Sequence, residues 1–196
     1  MDYFKYRHSE AKEIKDGLMS LIHDNLTEGL YNDTGEDGKR TSQYLHKEHS
    51  DHPELSALLS WMTSNPMLLA NHKFAGNTTR YSSDLYDRYH TQRGQSHMGG
   101  NVNYVRKNFK ITQCWGTLFN KGQGLIKHNH YPYTLSFSYY VNLPEGSPPI
   151  IINDEPIDIE EGQVLLFPAN QMHYVSNSDI DNRTAIIGNI LYYYTE

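Results

Sequence analysis

From residue 103 onward the chain consists of short runs rich in β-branched and aromatic residues, cut by turn residues, and this texture limits the fold more than any other feature. Ile111 to Phe119, Leu125 to His130, Leu135 to Val141, Pro149 to Ile152, Gln163 to Phe167 and Arg183 to Tyr193 suit a pleated, half-buried surface. Between them lie Asn120-Lys121-Gly122-Gln123-Gly124, Pro144-Glu145-Gly146, Asn153-Asp154-Glu155-Pro156, Glu161-Gly162 and Ser178 to Asn182. Gly, Pro, Asn and Asp supply the backbone angles that tight turns need. Many short strands at this spacing predict a sandwich or a barrel.

The first 75 residues read as helical. Ile14, Leu18, Leu21, Ile22 and Leu26 recur at three- and four-residue steps, which puts them on one helix face, with Ser9 as a cap and Gly29 just past the end. A second helix is predicted from Ser50-Asp51-His52-Pro53, with Leu55, Leu58, Leu59 and Met62 as its buried stripe. Met67 to Phe74 predicts a short third helix. His46, His49 and His52 have helical spacing but read as a solvated turn rather than a metal site. Residues 76 to 102 are poor in aliphatics and rich in Gly, Ser, Thr, Tyr and Arg. A polar stretch of that length predicts a flap or binding loop at a pocket mouth, or a disordered segment. There Arg80, Arg88 and Arg93 interleave with Tyr81, Tyr86 and Tyr89, as a grip for an anionic or aromatic substrate or as a solvated surface.

Composition narrows the function classes. With 196 residues the chain fits one structural unit: an N-terminal helical arm and flap over 1–102, packed on a β core over 103–196. Aromatic residues make up 12 %, 16 of them Tyr, which is not the composition of a disordered chain. Lys+Arg 17 against Asp+Glu 23 gives a net charge of -6, which argues against a nucleic-acid partner, since no basic excess exists to displace counterions. The single cysteine, Cys114, excludes an internal disulfide and fits a reducing cytoplasm. No leader-like apolar segment opens the sequence, and the longest apolar runs, such as Val164-Leu165-Leu166-Phe167, fall far short of a membrane span.

Histidine is over-represented, at 11 residues. His128-Asn129-His130 lies in a strand-like run, where residues i and i+2 face the same way and two imidazoles can share one metal ion. Taken with Gly122 upstream and with Gly162, Pro168, Asn170, His173 and Asn177 some forty residues later, the pair resembles the two motifs of the cupin, or double-stranded β-helix, superfamily. Two positions depart from that pattern. Tyr131-Pro132-Tyr133-Thr134-Leu135 lacks the Glu of the first motif, and Asn170 replaces a Gly of the second.

Arg183 follows His173 by ten residues. This spacing resembles the Fe(II)/2-oxoglutarate-dependent oxygenases, in which an Arg beyond the last metal His holds the far carboxylate of 2-oxoglutarate. The phage and marine-bacterial branch is the most similar in texture, through Cys114-Trp115-Gly116, His128 to Tyr140, Glu161 to Val175 and Arg183 to Asn189. The resemblance implies a double-stranded β-helix (jelly roll, cupin-like) core with N-terminal helices. It implies Fe(2+) held by His128, His130 and His173, and 2-oxoglutarate held by Arg183 with Tyr140, Ser136 and Asn189. It also implies a hydroxylase that couples decarboxylation of 2-oxoglutarate to succinate with oxidation of a small-molecule or peptide substrate near Tyr131, Tyr133 and Trp115. Three protein ligands on one face leave the positions that a bidentate oxo acid and O2 require. An Arg fork meets a carboxylate with two parallel hydrogen bonds. His130 stands where the usual triad has a carboxylate, so two arrangements remain: an all-His triad, or one imidazole behind the ligand shell. A cupin dioxygenase or lyase that uses no 2-oxoglutarate, and a non-catalytic β-sandwich binding module, are the alternatives. The oligomeric state, a homodimer included, is left open.

Overall fold

A computed structural model describes residues 3–27, 38–64 and 106–195. The elements run β1 (Phe4–Arg7), α1 (Ala11–Asp24), β2 (Lys39–Arg40), α2 (Leu45–Glu48), α3 (Pro53–Ser64), β3 (Arg106–Phe119), β4 (Leu125–His128), β5 (Leu135–Asn142), β6 (Ile150–Ile152), β7 (Glu155–Ile157), β8 (Gln163–Pro168), β9 (His173–Val175) and β10 (Arg183–Thr195). They form a six-stranded sheet in the order β1-β8-β5-β10-β3-β2 and a four-stranded sheet in the order β4-β9-β6-β7. From β3 to β10 the chain shuttles between the two sheets, and every pairing is antiparallel. This is the double-stranded β-helix, and the fold is mainly β with N-terminal helices.

The period of two along the central strands divides the core. From β5, Leu135, Phe137, Tyr139 and Val141 point to one side of the large sheet, with Val164, Leu166, Ile186 and Ile190. There they meet Ile14, Leu18, Leu21 and Ile22 of α1 and Leu55, Leu58 and Met62 of α3, the helical faces expected from the sequence. α1 lies close to the sheet at Gly116, where a Cβ would come within 2.6 Å of Ile22. On the other side Tyr140, Leu165, Phe167 and Ala185 meet Ile150, Ile152, Ile157 and Val175 in the space between the sheets. β5 is therefore buried on both faces, as a central strand between a helical layer and a second sheet must be.

The arm differs from its all-helical expectation. Phe4–Arg7 is a strand, paired with β8 from Phe4↔Leu166 to Arg7↔Gln163, and Lys39–Arg40 pairs with β3, so the arm supplies both edges of the large sheet. Arg7 pairs with Glu160, and Lys15 Nζ lies 2.9 Å from Glu161, tying the arm to the turn before β8. Ser9 does not cap α1. The helix starts after Glu10, whose N–H donates to His8 Nδ1 at 3.0 Å. Glu155 and Pro156, read as part of a turn, open the strand Glu155–Ile157. The turn narrows to Asn153 and Asp154, both at positive φ (50 and 67), which gives a two-residue hairpin. Gly29, the predicted helix at Met67 to Phe74 and the predicted flap over 76–102 lie outside the described residues. No helix among the described residues is long and apolar enough to cross a membrane.

Gly188, in the middle of β10, is a point of close approach. A Cβ there would come within 2.4 Å of the Phe137 ring and 2.7 Å of the Gln113 carbonyl. Backbone cannot yield as a side chain can, so Gly188→Ala is expected to destabilise the fold by about 1–3 kcal/mol, read as a lowered Tm in thermal unfolding. An unchanged Tm would show that the sheet relaxes there freely.

Candidate metal centre

β4 and β9 are antiparallel neighbours, and their register sets His128 directly opposite His173. His130 arrives differently from the alternation that the sequence suggested. β4 ends at His128, and His130 lies in the turn that follows. Its backbone holds it there: its N–H donates to the Ala169 carbonyl at 2.7 Å, and its carbonyl accepts from the Tyr133 N–H at 3.0 Å. The three rings converge, with centroids 5.0 Å apart for His128–His130, 4.3 Å for His128–His173 and 4.9 Å for His130–His173. One ring nitrogen from each lies within 4.8 Å of the others.

Hydrogen bonds decide which nitrogens converge. His128 Nδ1 is 2.9 Å from the Ile126 carbonyl, His173 Nδ1 is 3.1 Å from the Gln171 carbonyl, and His130 Nδ1 is 2.7 Å from Asn189 Oδ1. Each Nδ1 faces an acceptor, so each carries the proton and leaves a lone pair on Nε2. The Asn189 amide is itself fixed. Its Oδ1 accepts from Ser136 Oγ at 2.9 Å, its Nδ2 donates to Gln113 Oε1 at 2.8 Å, and Gln113 Nε2 donates to Gln43 Oε1 at 3.1 Å. The Nε2 atoms of His128 and His130 stand 3.1 Å apart. Lone pairs aimed into one space are the arrangement that a cation stabilises, and an imidazole set suits iron, zinc, copper or nickel. Burial, reinforced by the neighbouring imidazoles, lowers the His130 pKa to about 4 and that of His173 to about 3, and burial lowers His128 as well. The rings are therefore neutral at pH 7, as metal ligands must be.

The triad opens onto a cavity between the sheets. Arg183, Ala185, Ile187 and Asn189 line it from β10, Gln113, Trp115, Thr117 and Phe119 from β3, and Ser138 and Tyr140 from β5, each set at period two. Arg183 is 2 % exposed, so its charge lies inside the fold rather than on the surface. Its guanidinium carbon lies 5.4 Å from the Tyr140 ring centre and 5.8 Å from that of Phe119. Arg183 Nε and the Tyr140 hydroxyl are buried without a hydrogen-bond partner. Burial pushes the Tyr140 phenol up, against the opposing pull of Arg183, so it stays protonated and able to donate. Burial lowers Arg183 too, but a guanidinium remains charged at any pH a folded protein survives. A buried guanidinium beside a buried phenol, with Arg183 Nε and the Tyr140 hydroxyl unsatisfied, fits a carboxylate, because a buried polar group without a partner is costly.

The remaining expected residues separate. Trp115 is 6 % exposed and stacks on His130, with centroids 5.8 Å apart and planes 10° apart, so it holds the imidazole from behind. Tyr131, at 67 % exposure, and Tyr133 line the cavity near His130. Ser136 touches Asn189 rather than the open cavity. Sequence reasoning missed Arg40, Gln43 and Gln113, which also line the cavity. Gln113 was within reach of the argument, since it precedes Trp115 by one period of β3. Asn189→Ala would leave the His130 Nδ1–H without its acceptor. It is expected to weaken metal affinity ~10- to 100-fold without loss of folding, measured by competition with a chromogenic chelator. Unchanged affinity would remove Asn189 from the site.

No protein-family model matches the sequence, and no curated protein matches it at significant similarity. Solved structures do match in shape. A Pseudomonas putida prolyl-4-hydroxylase superposes with a TM-score of 0.60 at 12% identity, over 97% of this chain and 92% of that one. An oxidoreductase of the 2OG-Fe(II) oxygenase family from Burkholderia pseudomallei gives 0.56 at 11% identity, over 97% and 84%. A prolyl hydroxylase from Trichoplax adhaerens, solved with a hypoxia inducible factor peptide fragment, gives 0.56 at 14% identity, over 96% and 83%. Strand order, a histidine triad between the sheets and these superpositions agree, and the chain has the jelly-roll fold of the 2OG-Fe(II) oxygenases.

Proposed function

We propose that the protein is an Fe(II)- and 2-oxoglutarate-dependent oxygenase, acting as a hydroxylase on a small molecule or a peptide. One observation carries this reading. A converging His128/His130/His173 triad and a buried Arg183 beside Tyr140, with Arg183 Nε and the Tyr140 hydroxyl unsatisfied, line one cavity. Bound iron with 2-oxoglutarate supplies the activation of O2 and the oxidation of the substrate. The protein's own residues do the rest. The three Nε2 lone pairs would hold the metal. Asn189, fixed by Ser136 and Gln113, keeps the His130 proton on Nδ1. Arg183 takes the far carboxylate of 2-oxoglutarate through its fork, and Tyr140 adds a hydroxyl donor. Ala185, Ile187 and Ile150 give the cavity an apolar wall that keeps water from the reacting centre. Tyr131 and Tyr133 form the rim that meets the substrate. The peptide-bound Trichoplax enzyme supports a peptide as one candidate.

The absence of a carboxylate among the described lining residues favours a second reading, a cupin dioxygenase whose substrate itself chelates the metal. A turnover assay separates the two. The protein supplied with Fe(II), O2 and 2-oxoglutarate is expected to form succinate, even slowly and without a prime substrate, and Arg183→Ala is expected to form almost none. Absence of succinate from metal-loaded, folded protein would leave the second reading in place.

A further inference from the structure

The three imidazoles of the metal centre are not held alike. His128 and His173 each give the Nδ1 proton to a backbone carbonyl two residues earlier, Ile126 at 2.9 Å and Gln171 at 3.1 Å. His130 gives its own to a side chain, Asn189 Oδ1 at 2.7 Å. From there a relay of amides leads outward. Asn189 Nδ2 donates to Gln113 Oε1 at 2.8 Å, and Gln113 Nε2 donates to Gln43 Oε1 at 3.1 Å. Each amide accepts on its His130 side, so the relay has one polarity, set by the Nδ1 proton. Gln43 ends it, on the N-terminal arm between β2 and α2. The arm is fastened here by groups other than the Gln43 side chain. The Cys114 N–H donates to the Gln43 carbonyl at 2.9 Å, the Thr41 N–H to the Gly116 carbonyl at 3.0 Å, and the Gly116 N–H to Thr41 Oγ1 at 2.9 Å. The Gln43 side chain is therefore free of the docking task, and the residue lines the cavity.

We propose that Gln43 is a positioning residue for His130, acting through Gln113 and Asn189, so that the N-terminal arm completes the metal centre. The proposal rests on the metal-holding triad of the functional reading. Hydrogen bonds in a chain polarise one another, by roughly 10–30 % per bond. An Asn189 amide that donates to Gln113 carries more negative charge on Oδ1. Its stronger pull on the His130 Nδ1 proton raises the basicity of Nε2. Gln113 gains in the same way from donating to Gln43. His130 stands where the usual triad has a carboxylate, and no carboxylate is found among the described residues lining the cavity. The relay gives this imidazole part of the electron density that an anion would supply.

The test compares isotope-labelled, Zn(II)-loaded wild type, Gln43→Met and Gln43→Glu, with folding checked by thermal unfolding. Met fills the volume of Gln without its amide, whereas the Glu carboxylate still accepts from Gln113 Nε2. NMR reads solvent exchange of each imidazole Nδ1–H, with that of His130 assigned through Asn189→Ala. Competition with a chromogenic chelator reads zinc affinity. Gln43→Met is expected to keep the wild-type Tm, to exchange the His130 proton at least ~5-fold faster and to bind zinc about 3- to 10-fold more weakly. The His128 and His173 protons, held by backbone, are expected to exchange as in wild type. Gln43→Glu is expected to restore His130 exchange to within about 2-fold of wild type and to bind zinc no more weakly. Wild-type exchange and affinity in Gln43→Met overturn the proposal while the functional reading stands. Equal losses in both variants, or faster exchange at all three imidazoles, also overturn it, since these mark a purely structural role. If wild type holds no zinc at the triad, the functional reading itself fails and the proposal falls with it.

Discussion

His173→Ala is expected to remove stoichiometric metal binding while leaving the protein folded. The side chain sits at the start of β9, in register with His128, and its Nε2 is presented by the Gln171 carbonyl that fixes the Nδ1 proton. With only three donors converging, no described carboxylate stands in reserve, so loss of one leaves two neutral nitrogens and mostly water around the ion. His128→Ala is expected to behave alike. Lys127→Ala, one residue away and paired with Asp154 on the outside, is the control and should bind metal normally. Metal content by elemental analysis after equilibrium dialysis reads the result. Wild-type content in both histidine variants would rule out the triad as the site. Zinc or nickel in protein as purified would not contradict the account, because Fe(II) stands low in the affinity order for nitrogen ligands.

Arg183→Ala is expected to weaken 2-oxoglutarate strongly and to spare the metal. The guanidinium is 2 % exposed, so the bonds it offers a carboxylate form where water does not compete. Removing it leaves the ligand's charge buried and unpaired, at a cost of about 2–4 kcal/mol, or roughly 30- to 1000-fold in affinity. Arg183→Lys should recover only part, since a point charge cannot reproduce two parallel bonds. Metal content is the internal control: a variant that loses both iron and 2-oxoglutarate would point to a general collapse of the cavity. Equal 2-oxoglutarate affinity in wild type and Arg183→Ala would assign the carboxylate to another group.

Much of the core was legible because it depends on local period. β10 is central in its sheet, and its pairing with β3 is regular from Arg183 to Asn189, so the period of two puts Arg183, Ala185, Ile187 and Asn189 on one face despite a register shift against β5 between Thr184 and Ala185. β5 could be read for the same reason, through Ser136, Ser138 and Tyr140. The helical faces of α1 and α3 followed from a period of three to four. What was hidden is non-local. Phe4–Arg7 is a short edge strand that earns its conformation from β8, more than 150 positions later. Arg40 and Gln43 lie in polar sequence with no period, and only pairing with β3 brings them to the cavity. His130 was placed near His128 for the wrong local reason. A turn, the Ala169 carbonyl and an asparagine 59 positions away hold it, and no spacing rule announces those.

The most direct test of the account is anaerobic addition of 2-oxoglutarate to the Fe(II)-loaded protein, followed by visible absorbance. Chelation of iron by the 2-oxo and adjacent carboxylate groups produces a metal-to-ligand charge-transfer band. The account predicts a band that saturates at one equivalent per bound iron and vanishes in His173→Ala. Absence of any band at millimolar 2-oxoglutarate, in protein shown to hold iron at the triad, would contradict it.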